Sequence, residues 1–227
     1  MLELLIVSLL WAFSFGLIKD NLAGLNASFV AFARLGIAFL ALSPFMRPNR
    51  LSRKQVLQFI LIGAVQFGIM YIAYNASFRY LKAFEVALFT IFTPIYVALI
   101  DQFFERRVRW VSVAAAVLAV IGTGVISWAG LQSRNLATGF LVVQISNIAF
   151  ALGQLAYRRV ARDLPGDTKD IQLISLLYLG GAALTLGSTW ISGGFNQVAL
   201  APRQVWILVY LGVIASGLGF YGWNRGA

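Results

Sequence analysis

Polar residues interrupt this chain only at intervals. Between them, apolar runs of about twenty residues occupy 2–18, 27–45, 56–78, 83–104, 108–128, 139–157, 171–191 and 204–224. At about 1.5 Å of rise per residue, each run is long enough to cross a bilayer core of roughly 30 Å. The pattern therefore predicts an all-α polytopic membrane protein with about eight transmembrane helices. The joining segments are short, none is low in complexity, and none is long enough to separate soluble domains.

Two of the runs are copies of each other. Lys54-Gln55-Val56 answers Arg203-Gln204-Val205, and Gly63, Gly68, Tyr74 and Asn75 fall 149 residues before Gly212, Gly217, Trp223 and Asn224. Such internal repeats are characteristic of secondary transporters. Residues 1–128 are read as a first repeat of five helices. Residues 139–227 are read as a second repeat holding three of its five. About 50 further residues, the last two helices, would complete it. Five is an odd number, so the second copy enters the membrane from the opposite face. The result is an inverted five-plus-five repeat, the symmetry that underlies alternating access. The match is weaker for the second and seventh runs, where Leu35-Gly36 is set against Leu179-Gly180, and barely visible for the first and sixth.

Composition supports the same class. Hydrophobic residues make up 60% of the chain and charged residues 11%, a balance that no single soluble core accommodates. A net charge of +10 suggests nucleic acid in a soluble protein, but here the cations lie between apolar runs. With a cytoplasmic N-terminus, Arg47, Arg50, Arg53, Lys54, Arg106, Arg107, Arg109, Arg158, Arg159, Arg162, Lys169 and Arg225 fall inside, and Lys19, Arg79, Lys82, Arg134 and Arg203 fall outside. The excess of cations on one side sets the orientation. A nucleic-acid partner is not expected. Glu3 stands where a signal peptide carries a basic residue, so the N-terminal run is read as the first membrane helix. The chain has no Cys and no His, which removes disulfides, the usual zinc sites and the commonest general base. No metal or cofactor is expected.

Three stretches together resemble the drug/metabolite transporter superfamily, and within it the EamA-type exporters. The first is Leu10-Trp11-Ala12-Phe13-Ser14-Phe15-Gly16-Leu17-Ile18-Lys19. The second is Arg34 followed by small and apolar residues. The third is Pro94, then Glu105, then an Ala-rich fifth run ending Ile121-Gly122-Thr123-Gly124. The likeness covers the whole chain, although the family has ten helices. It implies export of small metabolites such as amino acids or related carboxylate-bearing compounds, with proton coupling or facilitated movement. It also implies a central cavity lined by the first, third, fourth, sixth, eighth and ninth helices, in a bacterial cytoplasmic (inner) membrane. The oligomeric state is left open. The rival readings are a non-transporting membrane fragment or scaffold, an intramembrane enzyme, and a channel. An enzyme needs a nucleophile and base, or paired acids, at one depth, and the eight acids lie mostly in loops or at helix ends.

Arg34 lies about 10 Å along its helix, where a charge faces a cavity or a partner, or snorkels to the headgroups. It either contacts a substrate carboxylate or forms a structural pair, and Glu85 is its candidate partner for a charge pair or coupling proton. Glu85 also suits a helix start, where the dipole favours an acid. Asp101 and Glu105 are read as interfacial ion pairs with Arg106 and Arg107. Pro94 breaks a helix in its middle and is a kink or hinge. Candidate cavity residues are Trp11, Ser14, Gln66, Tyr71, Asn75, Thr90, Asn147, Gln154 and Asn224, each of which equally suits interhelical hydrogen bonding.

Because the chain lacks Cys, single introduced cysteines report topology cleanly. In intact cells a membrane-impermeant maleimide is expected to label Ala201→Cys and spare Ser52→Cys, and in inverted vesicles the reverse. Labelling of Ser52→Cys from outside would reverse the orientation.

Overall fold

The computed structural model describes residues 2–48, 51–105, 135–164, 170–196 and 198–226, with scattered positions between 110 and 122. The fifth apolar run, 108–128, lies largely outside the described residues. The continuous segments form seven helices: α1 (Leu2–Asn21), α2 (Ala27–Leu42), α3 (Arg53–Ser77), α4 (Ala83–Glu105), α5 (Leu136–Arg162), α6 (Asp170–Ile191) and α7 (Pro202–Trp223). The sixth, seventh and eighth apolar runs are α5, α6 and α7. No strand occurs among the described residues. Six helices, α2 to α7, are long and apolar enough to cross a membrane, and α1 is an apolar helix of 20 residues.

Local chemistry explains where these helices begin. Asn26 caps α2, its side chain accepting from the backbone N–H groups of Ser28 and Phe29. At the start of α3 the Gln55 side chain accepts from the Ser52 backbone N–H at 2.9 Å. At the start of α7 Gln204 does the same for Ala201 at 3.0 Å, with Pro202 at the first helical position. The two glutamines are the repeat partners noted in the sequence.

Three helices are interrupted inside the membrane. α3 widens into a π-helical stretch at Ala64–Ile69, and α7 into another at Leu211–Leu218. These stretches overlap when the sequence is shifted by the repeat interval. α4 breaks between Thr90 and Thr93, just before Pro94.

α2 and α6 lie side by side at the centre, with α3 packed on α6 and α7 packed on α2. The later parts of α3 and α7 pack on α5 and α1 respectively. In lipid the apolar effect does not draw helices together, so close backbone approach has to. Glycine permits it here. A Cβ on Gly180 would stand 1.8 Å from the Ile60 carbonyl oxygen, and one on Gly63 2.0 Å from that of Leu177. In the second copy a Cβ on Gly212 would stand 2.6 Å from Ile37 Cβ. Around these contacts Phe59, Phe67, Leu177 and Tyr178 are fully buried, and Phe67 stacks on Tyr178 with centroids 5.0 Å apart. Leu9, Phe13, Leu40, Leu57, Leu61 and Leu141 are exposed, as a lipid-facing surface requires. Trp190 and Trp206, exposed near the end of α6 and the start of α7, suit the headgroup zone.

Gly180→Ala is expected to lower the thermal midpoint in detergent, because overpacking of this kind costs about 1–3 kcal/mol. Gly36→Ala, which meets nothing within 4 Å, is expected to leave it unchanged. Equal midpoints for the two variants would show that the α3–α6 contact is not close-packed.

Candidate functional site

A cavity of about 760 Å³ lies between α1, α3, α4, α5 and α7, with Arg34 reaching in from α2. Its size is within the range of small-molecule sites. Most of the wall is apolar or aromatic, including Phe15, Met70, Phe150 and Phe220. The lining stops at Phe15, Tyr74 and Ala87 towards one end. Beyond them the helix ends are tied together: Lys19 Nζ donates to the Phe78 carbonyl at 2.6 Å, and Gln204 Nε2 donates to that of Asn21 at 2.8 Å. At the other end the wall is Asp101, Gln102 and Arg158. There the cavity adjoins a charged vestibule of about 260 Å³ lined by Asp101, Glu105, Arg158, Arg159 and Arg162.

Arg34 is the central charge of the site. It is only 3% exposed, and its Nη2 donates to Tyr71 Oη at 3.1 Å and to Ser216 Oγ at 3.3 Å. The two hydroxyls are themselves 2.8 Å apart, and the guanidinium carbon lies 4.3 Å from the Tyr71 ring centroid. Arg34 Nε and Nη1 are buried without a hydrogen-bond partner.

The π stretch of α7 is what brings Ser216 to Arg34. Along this widened turn, side chains of neighbouring helices add donors to the backbone carbonyls. Trp11 Nε1 donates to the Ala215 carbonyl at 2.9 Å, and Tyr178 Oη donates to the Ser216 carbonyl at 2.6 Å. The break in α4 is served in the same way. Asn147 Nδ2 donates to the Phe89 carbonyl at 2.9 Å, and Thr93 Oγ1 donates to Asn147 Oδ1 at 3.0 Å. Asn147 on α5 thus reaches the backbone at the break, while Thr90 Oγ1 bonds the Ala87 carbonyl one turn back.

Of the residues singled out in the sequence, Trp11, Ser14, Arg34, Tyr71, Thr90, Pro94, Asn147 and Gln154 line the cavity. Gln66 and Asn75 do not. Gln66 is wedged against α5, where Gly153 leaves room for it, and Asn75 Nδ2 donates to the Ala27 carbonyl at 3.4 Å. The side chain of Asn224 lies outside the described residues. Glu85 is not brought to Arg34. It is fully buried, and its Oε2 accepts from the Lys82 backbone N–H at 2.8 Å. Asp101, expected at an interfacial ion pair, lines the charged end of the cavity, and its expected partners Arg106 and Arg107 lie outside the described residues. Sequence reasoning passed over Tyr74, Phe150, Phe220 and Trp223 as wall residues. Tyr74 and Trp223 carried a signal, since they are repeat partners placed immediately before Asn75 and Asn224.

Comparison with known proteins agrees with this architecture. The model of the EamA-like transporter family matches residues 1–128. A biotin transporter of Escherichia coli is 38% identical over 226 residues, covering 99% of this chain and 75% of that protein. A probable biotin transporter of Pseudomonas aeruginosa is 36% identical over 225 residues, covering 99% of this chain and 78% of its own. A probable terminal-alkyne amino-acid exporter of Streptantibioticus cattleyicolor is 24% identical over 220 residues, covering 94% of this chain and 71% of its own. A solved crystal structure, 18% identical, superposes with a TM-score of 0.70 over 99% of this chain and 78% of that one. The fold, the cavity and these relatives make the chain a multi-pass secondary transporter of small metabolites rather than an enzyme, and it belongs to the EamA-like transporter family.

Proposed function

We propose that this protein is an alternating-access carrier of small carboxylate-bearing metabolites, and that biotin is the first compound to test. The observation that carries the reading is Arg34. A guanidinium buried at the cavity wall, with Nε and Nη1 lacking partners, is matched by a carboxylate. Tyr71 and Ser216 hold the guanidinium in place without neutralising it. Relatives named for biotin, itself a monocarboxylic acid, and for an amino acid fit this chemistry.

The inverted repeat supports the alternating-access part. Gln55 and Gln204 make equivalent cap bonds, and the two π stretches fall on equivalent residues. α3 packs on α6 as α7 packs on α2. A carrier with two such halves presents one cavity to either side in turn. The Asp101–Arg158 end of the cavity faces the cytoplasm in this reading, with the N-terminus on the same side, and the charge asymmetry of the loops supports it. We assign the protein to the bacterial cytoplasmic membrane, in keeping with its bacterial relatives. A proton-coupled mode would run through Asp101, the carboxylate on the cavity wall, and not through Glu85.

The test compares Arg34→Gln with the native protein in equilibrium binding of biotin and of its uncharged amide. Losing a charge-assisted hydrogen bond of about 1.5–3 kcal/mol weakens biotin binding roughly 10- to 100-fold. The amide is expected to bind the two proteins alike. The Tyr71–Ser216 hydroxyl pair remains in the variant, so the fold keeps its local bonding. Equal biotin affinity in both proteins would remove the carboxylate assignment.

A further inference from the structure

A second donor stands at the cavity wall without a partner. The indole Nε1 of Trp223 is buried and makes no hydrogen bond, although the residue lines the cavity. Indole nitrogen is a donor only, so it is matched by an acceptor and by nothing else. Trp11 offers the contrast, because its own Nε1 is occupied by the Ala215 carbonyl. The rings of Trp11 and Trp223 lie 5.3 Å apart, and Trp11 lies 4.9 Å from Phe220. This part of the wall is therefore an aromatic corner with one unused donor.

Its position relative to Arg34 is informative. Arg34 meets α7 at Ser216, and Trp223 is seven residues further along the same helix. Seven residues correspond to about 10 Å along the axis. The point where Arg34 meets α7 and the position of Trp223 are thus set apart by about the length of an elongated small molecule, with the aromatic wall residue Phe220 between them. From this we infer that Trp223 is a specificity residue: its indole N–H takes a carbonyl-type acceptor at the far end of a ligand whose carboxylate is held by Arg34. The substrate class is a ring compound with a carbonyl or ureido oxygen at one end and a carboxylate chain at the other. This rests on the carboxylate reading of Arg34 above.

A neutral hydrogen bond of this kind selects by exclusion. A ligand lacking the acceptor leaves the buried N–H unmatched, whereas apolar wall tolerates differences in shape. Biotin and lipoate form a suitable pair of probes. Both carry a pentanoate chain on a sulfur-containing ring, and only biotin has a ureido carbonyl.

Equilibrium binding is measured for both probes on the purified chain, on Trp223→Phe and on Arg34→Gln. The native protein is expected to prefer biotin by about tenfold, with desthiobiotin, which keeps the ureido group, binding like biotin. Trp223→Phe keeps a ring in the corner and removes the donor, so that preference should disappear through weaker biotin binding, with lipoate unchanged. Arg34→Gln should weaken both probes alike. A native protein that binds biotin and lipoate equally would overturn the role of Trp223 while leaving Arg34 intact. So would a Trp223→Phe variant that weakens both ligands equally, since that is loss of packing. A native protein that binds neither probe would overturn the carboxylate reading and this assignment with it. The comparison of probes on the native chain needs no variant to fold.

Discussion

A backbone carbonyl that loses its helical partner inside a bilayer has no water to accept from. Satisfying it requires a donor from a neighbouring helix, and each such donor fixes one helix against another. This constraint organises the protein. In the π turn of α7 the Ala215 carbonyl accepts from Trp11 of α1, and the Ser216 carbonyl, which also receives the Gly219 N–H, accepts from Tyr178 of α6. The break in α4 exposes one that is met by Asn147 of α5. The break in α4 falls within the cavity wall, between Thr90 and Thr93, while the π stretch of α7 lies just before its wall residues Phe220 and Trp223. Regular helix and small residues hold the rest, with Gly63, Gly180 and Gly212 bringing backbones together.

The same irregularity creates the polar part of the site. Ser216 belongs to the π stretch, and it both receives the Arg34 guanidinium through its hydroxyl and gives its carbonyl to Tyr178. One widened turn thus connects α2, α3, α6 and α7 around a buried charge. A guanidinium in this place is costly on its own, and two hydroxyls do not discharge it. What they provide is direction. Nη2 is held towards Tyr71 and Ser216, which leaves Nε and Nη1 as the groups still to be matched.

Much of this could be read from the amino-acid order, and the reasons are physical. Span lengths follow from hydropathy, which does not depend on packing. The repeat was visible because its caps and glycines serve identical local purposes in both copies. Arg34 stood out because a charge at that depth always needs an explanation. Individual facing directions were harder. Gln66 lies in the π-helical stretch Ala64–Ile69 of α3, where a 3.6-residue period does not say which neighbour a side chain meets. Gln66 accordingly turns to Gly153, Asn75 turns to α2, and Tyr74 faces the cavity. Glu85 was ambiguous because a carboxylate three residues past a helix start serves equally as a cap or a charge, and only geometry distinguishes them. That Asp101 lines the cavity was not legible for a related reason: at a helix end, sequence does not say which side of the helix is turned inward.

A shared fold and distinct cargo are reconciled in such a site by a small number of polar groups. The architecture persists in a solved structure that is 18% identical to this chain, so helix packing tolerates almost complete change of side chains. Relatives carrying different transporter names align with more than nine-tenths of this chain. An apolar wall discriminates weakly among ligands of similar shape, because a missing or added methylene is worth only about 1–3 kcal/mol. An unmatched buried donor discriminates more sharply, since its desolvation is repaid only by an acceptor in the right place. Selectivity in a cavity of this kind is therefore concentrated in the few atoms that the protein itself leaves unbonded, here on Arg34 of α2 and Trp223 of α7.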